Sequence, residues 1–306
     1  MERRNFIKQT VAAAGALSLS FIKENAYAGT LNAMPAAPVP VPDFKKSIMW
    51  ASIRMQGSIA DKCNAIKTAG FAGVEPMSHL DRKEVIDAIK ASGLVASSVC
   101  CSTHGDKPLS SPDAKVRQEG IEGVIVALED AAAYGTDALL VVPGFVNEKE
   151  AYDDCWNLSV ESIKKLIPTA EKLKVAICIE NVGNNFLLSP LEAARYVDQF
   201  NSPYVKFYFD CGNYCHIGWP DQWIRILGDR IARIHIKEYS RKLANEGREN
   251  DGYRVKLSDG DINWGKVFAE LRKVYTGSWL TTEQGSSRSL EDLKDLSERF
   301  DKILLM

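Results

Sequence analysis

Val205-Lys206-Phe207-Tyr208-Phe209-Asp210, followed by Cys211-Gly212-Asn213, is an apolar run that ends on a charged side chain. Ile231-Ala232-Arg233-Ile234-His235-Ile236-Lys237-Glu238 repeats that form, with His235 near its end. Between them, Pro220 to Asp229 is amphipathic. A strand, a helix and a second strand in this order make a β-α-β unit with parallel strands. Parallel strands deliver their C-terminal residues to one side of the sheet. Asp210 and His235 are therefore expected to meet.

Outward from this stretch, the same alternation runs from Lys46 to the C-terminus. Strand signals fall at Ser47–Ile53, Gly73–Pro76, Leu94–Cys101, Ala138–Pro143, Val175–Ile179 and Ser278–Thr282, besides the two above. Helical segments start on Ser58, Asp81, Asp113 and Ser189, residues that cap helix N-termini. Glycines such as Gly93 and Gly135 close them. The segment from Tyr152 to Leu173 is helical, with Pro168 expected to kink or split it. Ala138-Leu139-Leu140-Val141-Val142 is continuously apolar, as a strand buried on both faces requires. Eight strand–helix pairs in about 260 residues match a single α/β (β/α)8 barrel, the TIM barrel. A doubly wound open sheet is the rival, but no G-x-G-x-x-G follows the first strand.

The first 44 residues have another character. Glu2-Arg3-Arg4-Asn5-Phe6-Ile7-Lys8 resembles a twin-arginine motif, an apolar run follows from Val11 to Phe21, and Ala26-Tyr27-Ala28 offers a cleavage site. Residues 1–28 are thus expected to be a twin-arginine-type signal peptide, and 29–44 a Pro-rich linker. The barrel is expected over 45–306. The protein is expected to be exported to the periplasm, or cytoplasmic if the leader is not processed, with no stable membrane insertion after cleavage. Net charge is −2 with no basic block, which argues against a nucleic-acid partner. The seven cysteines are odd in number and lack a C-x-x-C, so buried free thiols are expected.

In a (β/α)8 barrel, residues at strand C-termini face one mouth. Four consecutive strands here end in Glu180, Asp210, His235 and Glu283. Three carboxylates and an imidazole in one mouth repel and shift each other's protonation unless a cation joins them. Oxygen-rich ligation favours Mn2+ or Mg2+, and the histidine allows Co2+ or Zn2+. The carboxylates outweigh a divalent charge, which favours neutral polyols over anionic sugars.

Glu180-Asn181, Asp210-Cys211-Gly212-Asn213, His235-Ile236-Lys237-Glu238 and Thr282-Glu283-Gln284 together resemble the sugar phosphate isomerase/epimerase superfamily, the xylose-isomerase-like barrel. Gly70–Glu75, Val142-Pro143-Gly144 and Gly260–Trp264 add to the resemblance. It implies a metal held by Glu180, Asp210, His235 and Glu283. It also implies that Glu180 and Glu283 are catalytic, exchanging an α-proton on opposite faces of a sugar through an ene-diolate. Arg241 matches a substrate-binding arginine of the ketose 3-epimerases. Asn213 stands where those enzymes often carry histidine, a departure that bears on substrate choice. His104 is a further expected contact of substrate or of a second metal, Glu75 of a sugar hydroxyl, and Lys237 is an expected stabiliser of an oxyanion. His79 and His216 read as structural. Trp50, Trp219 and Trp264 can stack on a sugar, although aromatic residues more often fill cores.

The expected activity is that of a metal-dependent sugar isomerase or epimerase, with a small sugar or keto-sugar derivative as partner and a homo-oligomer left open. Elimination from a 3-keto-glycoside, as a lyase or dehydratase performs, needs the same site. A non-catalytic sugar-binding barrel is a third reading. An abasic-site endonuclease is disfavoured, because such sites are rich in histidine and this chain has four.

Overall fold

The computed structural model describes residues 43–180 and 182–306. Expectations for residues 1–28, and for nearly all of the 29–44 linker, lie outside the described residues. Nine parallel strand segments form one nearly closed barrel: β1 (Lys45–Met49), β2 (Gly73–Glu75), β3 (Val95–Ala96), β4 (Val99–Cys100), β5 (Ala138–Val141), β6 (Ala176–Ile179), β7 (Val205–Asp210), β8 (Ile231–Ile236) and β9 (Trp279–Thr282). Their order is β3-β2-β1-β9-β8-β7-β6-β5-β4. The helices are α1 (Ile59–Thr68), α2 (Arg82–Ser92), α3 (Ala114–Tyr134), α4 (Tyr152–Leu173), α5 (Pro190–Asp198), α6 (Pro220–Leu227), α7 (Arg241–Glu246), α8 (Trp264–Val274) and α9 (Leu290–Leu304).

The expected caps form. Ser58, Asp81, Asp113 and Ser189 each accept from a backbone N–H in the first turn of α1, α2, α3 and α5. Such a cap contributes about 1 kcal/mol. Helix α3 closes on Gly135 at φ 79°, where an L side chain would be strained. Helix α4 contains Pro168 and is not split by it. The main core lies between barrel and helices, where Ile48, Ile177, Phe207, Ile234 and Leu280 are wholly buried. Truncating one such Leu or Ile to Ala costs roughly 2–5 kcal/mol.

The expected third strand, Leu94–Cys101, is broken into β3 and β4. The cause is the pair between them. Ser97 Oγ lies 2.7 Å from Ser47 Oγ and 3.3 Å from Thr281 Oγ1. The Ser97 carbonyl accepts from Arg233 Nε at 2.7 Å. Ser98 Oγ donates to Glu75. These serines spend their hydrogen bonds inside the barrel, and the ladder resumes only at Val99, which pairs with Leu139. Ser97 N–H still reaches the Val74 carbonyl and Cys100 N–H the Pro76 carbonyl, both at 2.9 Å, so the wall stays joined across the break.

All seven cysteines are free and buried. Among the described residues, no helix is long and apolar enough to cross a membrane.

Candidate metal centre at the barrel mouth

Strands β6, β7, β8 and β9 lead into Glu180, Asp210, His235 and Glu283, whose ligand atoms all lie within 4.8 Å of one another. His235 Nδ1 is 3.0 Å from Glu180 Oε1, 3.4 Å from Glu283 Oε2 and 3.7 Å from Asp210 Oδ2. A bulge sets this convergence. Phe207 pairs with Ile231, but Tyr208 pairs with Arg233, so Ala232 is an extra residue in β8. Without it Asp210 would lie beside Ile234; with it, Asp210 lies beside His235. Because side chains alternate along a strand, the bulge lets both ligands point inward.

The Asp210-Cys211-Gly212-Asn213 turn fixes its own carboxylate. Gly212 N–H and Asn213 N–H both donate to Asp210 Oδ1 at 2.7 Å. A Cβ on Gly212 would meet the Lys237 carbonyl oxygen at 2.8 Å, so only glycine fits the turn against β8. The other oxygen, Asp210 Oδ2, is buried and has no hydrogen-bond partner among the described residues. A buried unpaired carboxylate oxygen facing two further carboxylates and an imidazole fits a divalent cation.

The two glutamates have different surroundings. Glu180 is 4% exposed, and burial raises its carboxyl against the pull of His235. Glu283 is 25% exposed. Burial works to raise it too, but Lys237 and His235 outweigh that and hold it well below the usual carboxylate range. Burial pushes Asp210 up to about 8, with Lys237 pulling the other way. Lys237 Nζ lies 3.1 Å from Glu283 Oε2 and donates to Asn213 Oδ1 at 3.2 Å. It also sits over the Tyr253 ring, whose hydroxyl donates to the same Asn213 oxygen at 3.3 Å.

Residues 63–303 match the xylose isomerase-like TIM barrel family. The chain belongs to that family. As a xylose isomerase-like barrel, it is similar to L-ribulose-5-phosphate 3-epimerase UlaE of Escherichia coli O1:K1, at 27% identity over 237 residues, which cover 72% of this chain and 80% of that one. Among solved structures, it resembles 3-keto-D-glucoside 4-epimerase YcjR from E. coli, with a TM-score of 0.73 at 17% identity, covering 86% of this chain and all of that one. It also resembles D-psicose 3-epimerase from Clostridium cellulolyticum H10, with a TM-score of 0.70 at 17% identity, covering 86% and 99%. These relatives are sugar epimerases.

The other residues expected to contact substrate have these surroundings. Glu75 is wholly buried. Its Oε1 is 3.0 Å from His235 Nε2, and its Oε2 accepts from Tyr208 at 2.5 Å and from Ser98. Both oxygens are therefore engaged by protein groups. Arg241 is likewise committed: Nε donates to the Cys215 carbonyl at 2.8 Å and Nη2 to the Gly218 carbonyl at 2.7 Å. Its guanidinium stacks on Trp219, 5.5 Å from the ring centroid. It pins the turn after β7 with those nitrogens. His104 is near the site. Val142 N–H donates to its Nδ1 at 3.3 Å, which puts the neutral ring's proton on Nε2, and burial pushes the imidazole down to about 4.

His79 Nδ1 meets Ser78 Oγ at 2.8 Å, and His216 Nε2 meets Glu249 Oε1 at 3.1 Å, and neither is a member of the four-ligand cluster. Trp264 is buried, with Nε1 donating to Glu238 Oε2 at 2.7 Å. Glu238 also accepts from Ser258 N–H and Ile262 N–H, so it organises the segment ahead of α8. A cavity of about 580 Å³ opens at the other end of the barrel, where its charged lining groups, Arg233 and Asp137, pair with each other. None of the four ligands lines it.

Sequence reasoning passed over Tyr208, Ser98 and Tyr253. Tyr208 was within reach of strand alternation, since it stands two residues before Asp210 and shares its face. Ser98 depends on the strand break, and Tyr253 on a 3-10 segment, Glu249–Arg254, that has no periodic signal.

Proposed function

We propose that the protein is a divalent-metal-dependent epimerase or isomerase of a sugar that carries a carbonyl. The observation that carries this reading is the pair of glutamates flanking Asp210 and His235, with Asp210 Oδ2 buried and without a hydrogen-bond partner among the described residues. Glu180, Asp210, His235 and Glu283 would hold Mn2+ or Mg2+, with Co2+ or Zn2+ as alternatives. When bound, the ion supplies positive charge against which the charge on substrate oxygens can develop as the α-proton leaves.

The residues of the chain account for the proton. Glu180 and Glu283 approach the substrate carbon from two sides, one removing its proton and the other returning one. Inversion follows if the returning group is on the opposite face. Lys237 keeps Glu283 in its basic form and can donate to an oxygen of the ene-diolate. Asn213, already ordered by Lys237 and Tyr253, and the Nε2–H of a neutral His104 are the proposed substrate contacts. Trp219, 57% exposed, carries the Arg241 guanidinium over its ring in the connection after β7.

The test is product analysis by NMR after incubating the metal-loaded protein with free ketoses and with 3-keto-glycosides. New epimers or aldose–ketose pairs support the reading. Release of an aglycone would assign elimination instead, and binding without α-proton exchange would leave only a sugar-binding barrel. We further propose periplasmic export from the leader, to be tested by cell fractionation of the full-length chain.

A further inference from the structure

The buried carboxylate of Glu75 is used neither by the proton transfer nor by the four-ligand set. It lies inside the barrel beneath His235. Its Oε1 is 3.0 Å from His235 Nε2, while Tyr208 and Ser98 both donate to Oε2. Tyr208 OH is also 3.2 Å from Ser98 Oγ, so the three groups form one closed network. The Tyr208 ring packs against the imidazole at 4.4 Å between centroids. Glu75, Ser98 and His235 are wholly buried, and so is Tyr208.

A carboxylate only accepts hydrogen bonds, so the nitrogen facing Glu75 must bear a hydrogen. That leaves Nδ1 as the nitrogen whose lone pair can turn to Glu180, Asp210 and Glu283. The ring cannot tilt freely, because Tyr208 covers it and Glu75 is itself held from two sides. The break between β3 and β4 then has a purpose, since Ser98 reaches Glu75 only from the interrupted strand.

We infer that Glu75, braced by Tyr208 and Ser98, is a positioning residue that fixes the tautomer and tilt of His235 for metal binding. This rests on the metal reading above. Partners of this kind behind a ligating histidine typically account for 10–100-fold in metal affinity.

The test is Mn2+ titration calorimetry on the full barrel for wild type, Glu75→Gln, Glu75→Leu and Tyr208→Phe, with the metal-free melting temperature measured alongside. Glu75→Leu is expected to weaken Mn2+ binding about 10–100-fold. Glu75→Gln, which keeps an acceptor for Nε2–H, should recover part of that loss, and Tyr208→Phe should weaken binding less than Glu75→Leu. In 15N NMR of the Zn2+-loaded protein, the His235 Nε2–H should be slow to exchange in wild type and fast in Glu75→Leu. If Glu75→Leu does not fold, Glu75→Gln and Tyr208→Phe decide. Mn2+ affinities within twofold of wild type in every folded variant would overturn the inference alone. A wild-type protein that binds no Mn2+ would overturn the metal reading together with it.

Discussion

Lys237 Nζ sits 3.1 Å from Glu283 Oε2, whereas the close partner of Glu180 is His235 Nδ1 at 3.0 Å, with Lys237 acting on it only as a weaker, longer-range charge. Two glutamates that enter one ligand set therefore differ in environment. Glu283 is more exposed, paired with a cation and strongly acidic. Glu180 is nearly sealed and raised by burial. A pair of groups whose environments push their proton affinities apart suits an exchange in which one gives and the other takes.

Lys237→Met should therefore damage turnover more than fold. It removes the ammonium that holds Glu283 low and the donor aimed at the mouth. Loss of one such donor typically costs about 10²–10³ in kcat. The acid limb of the kcat/KM profile should also move to higher pH, because Glu283 loses the partner that depresses it. A profile with an unmoved acid limb would count against this role.

The metal-free protein should lose stability as pH rises from about 5 to 8. Asp210 is pushed up to about 8 by burial, against about 3.9 for an unfolded chain. Across that window the folded state holds more protons than the unfolded one, so the slope of stability with pH is negative. Asp210→Asn keeps the acceptor for Gly212 and Asn213 but cannot ionise. Thermal melts in chelator should show the difference between this variant and wild type widening toward pH 8. Parallel curves would contradict the assignment.

Histidine NMR should find one of the four imidazoles titrating near 4, and His104→Gln should remove that signal. A ring lowered by burial is neutral at pH 7 and stabilises the fold above about 6.5, the ordinary value. That contribution fades as pH falls from there through about 4. A His104 midpoint above 7 would contradict a neutral ring in the working enzyme, and one at the ordinary value of about 6.5 would contradict the burial that lowers it.

Arg241→Ala should loosen the turn after β7. Two guanidinium hydrogen bonds to Cys215 and Gly218 disappear, each worth roughly 1.5–3 kcal/mol. Hydrogen exchange over residues 211–219 should accelerate while exchange in β7 stays slow. Unchanged exchange in the turn would leave Arg241 without the pinning role.

Much of this was legible in the chain because parallel strands obey a simple rule. Apolar runs ending in Glu180, Asp210, His235 and Glu283 predict one mouth, whatever the side-chain details. Capping residues such as Asp81 and Asp113 located the helices because a cap acts through bonds two or three residues away. What escaped depends on distant partners. Glu75 reads as a strand-end residue facing the mouth until Tyr208 and Ser98 are seen to bury it. The split of the third strand comes from Arg233 taking the Ser97 carbonyl, across many residues of chain. The Ala232 bulge leaves no trace in an apolar run. Arg241 could be placed on the loop after β8, but its direction is set by two carbonyls from the preceding connection.

The most direct measurement is deuterium incorporation from D₂O at the α-carbon of an accepted keto-sugar, followed by NMR for wild type, Glu180→Gln and Glu283→Gln, each with its Mn2+ content determined. The prediction is exchange in the Mn2+-loaded wild type, none after chelation, and a drop of about 10²–10⁴ in either variant with metal retained. Exchange at the wild-type rate in both variants would contradict the two-glutamate mechanism.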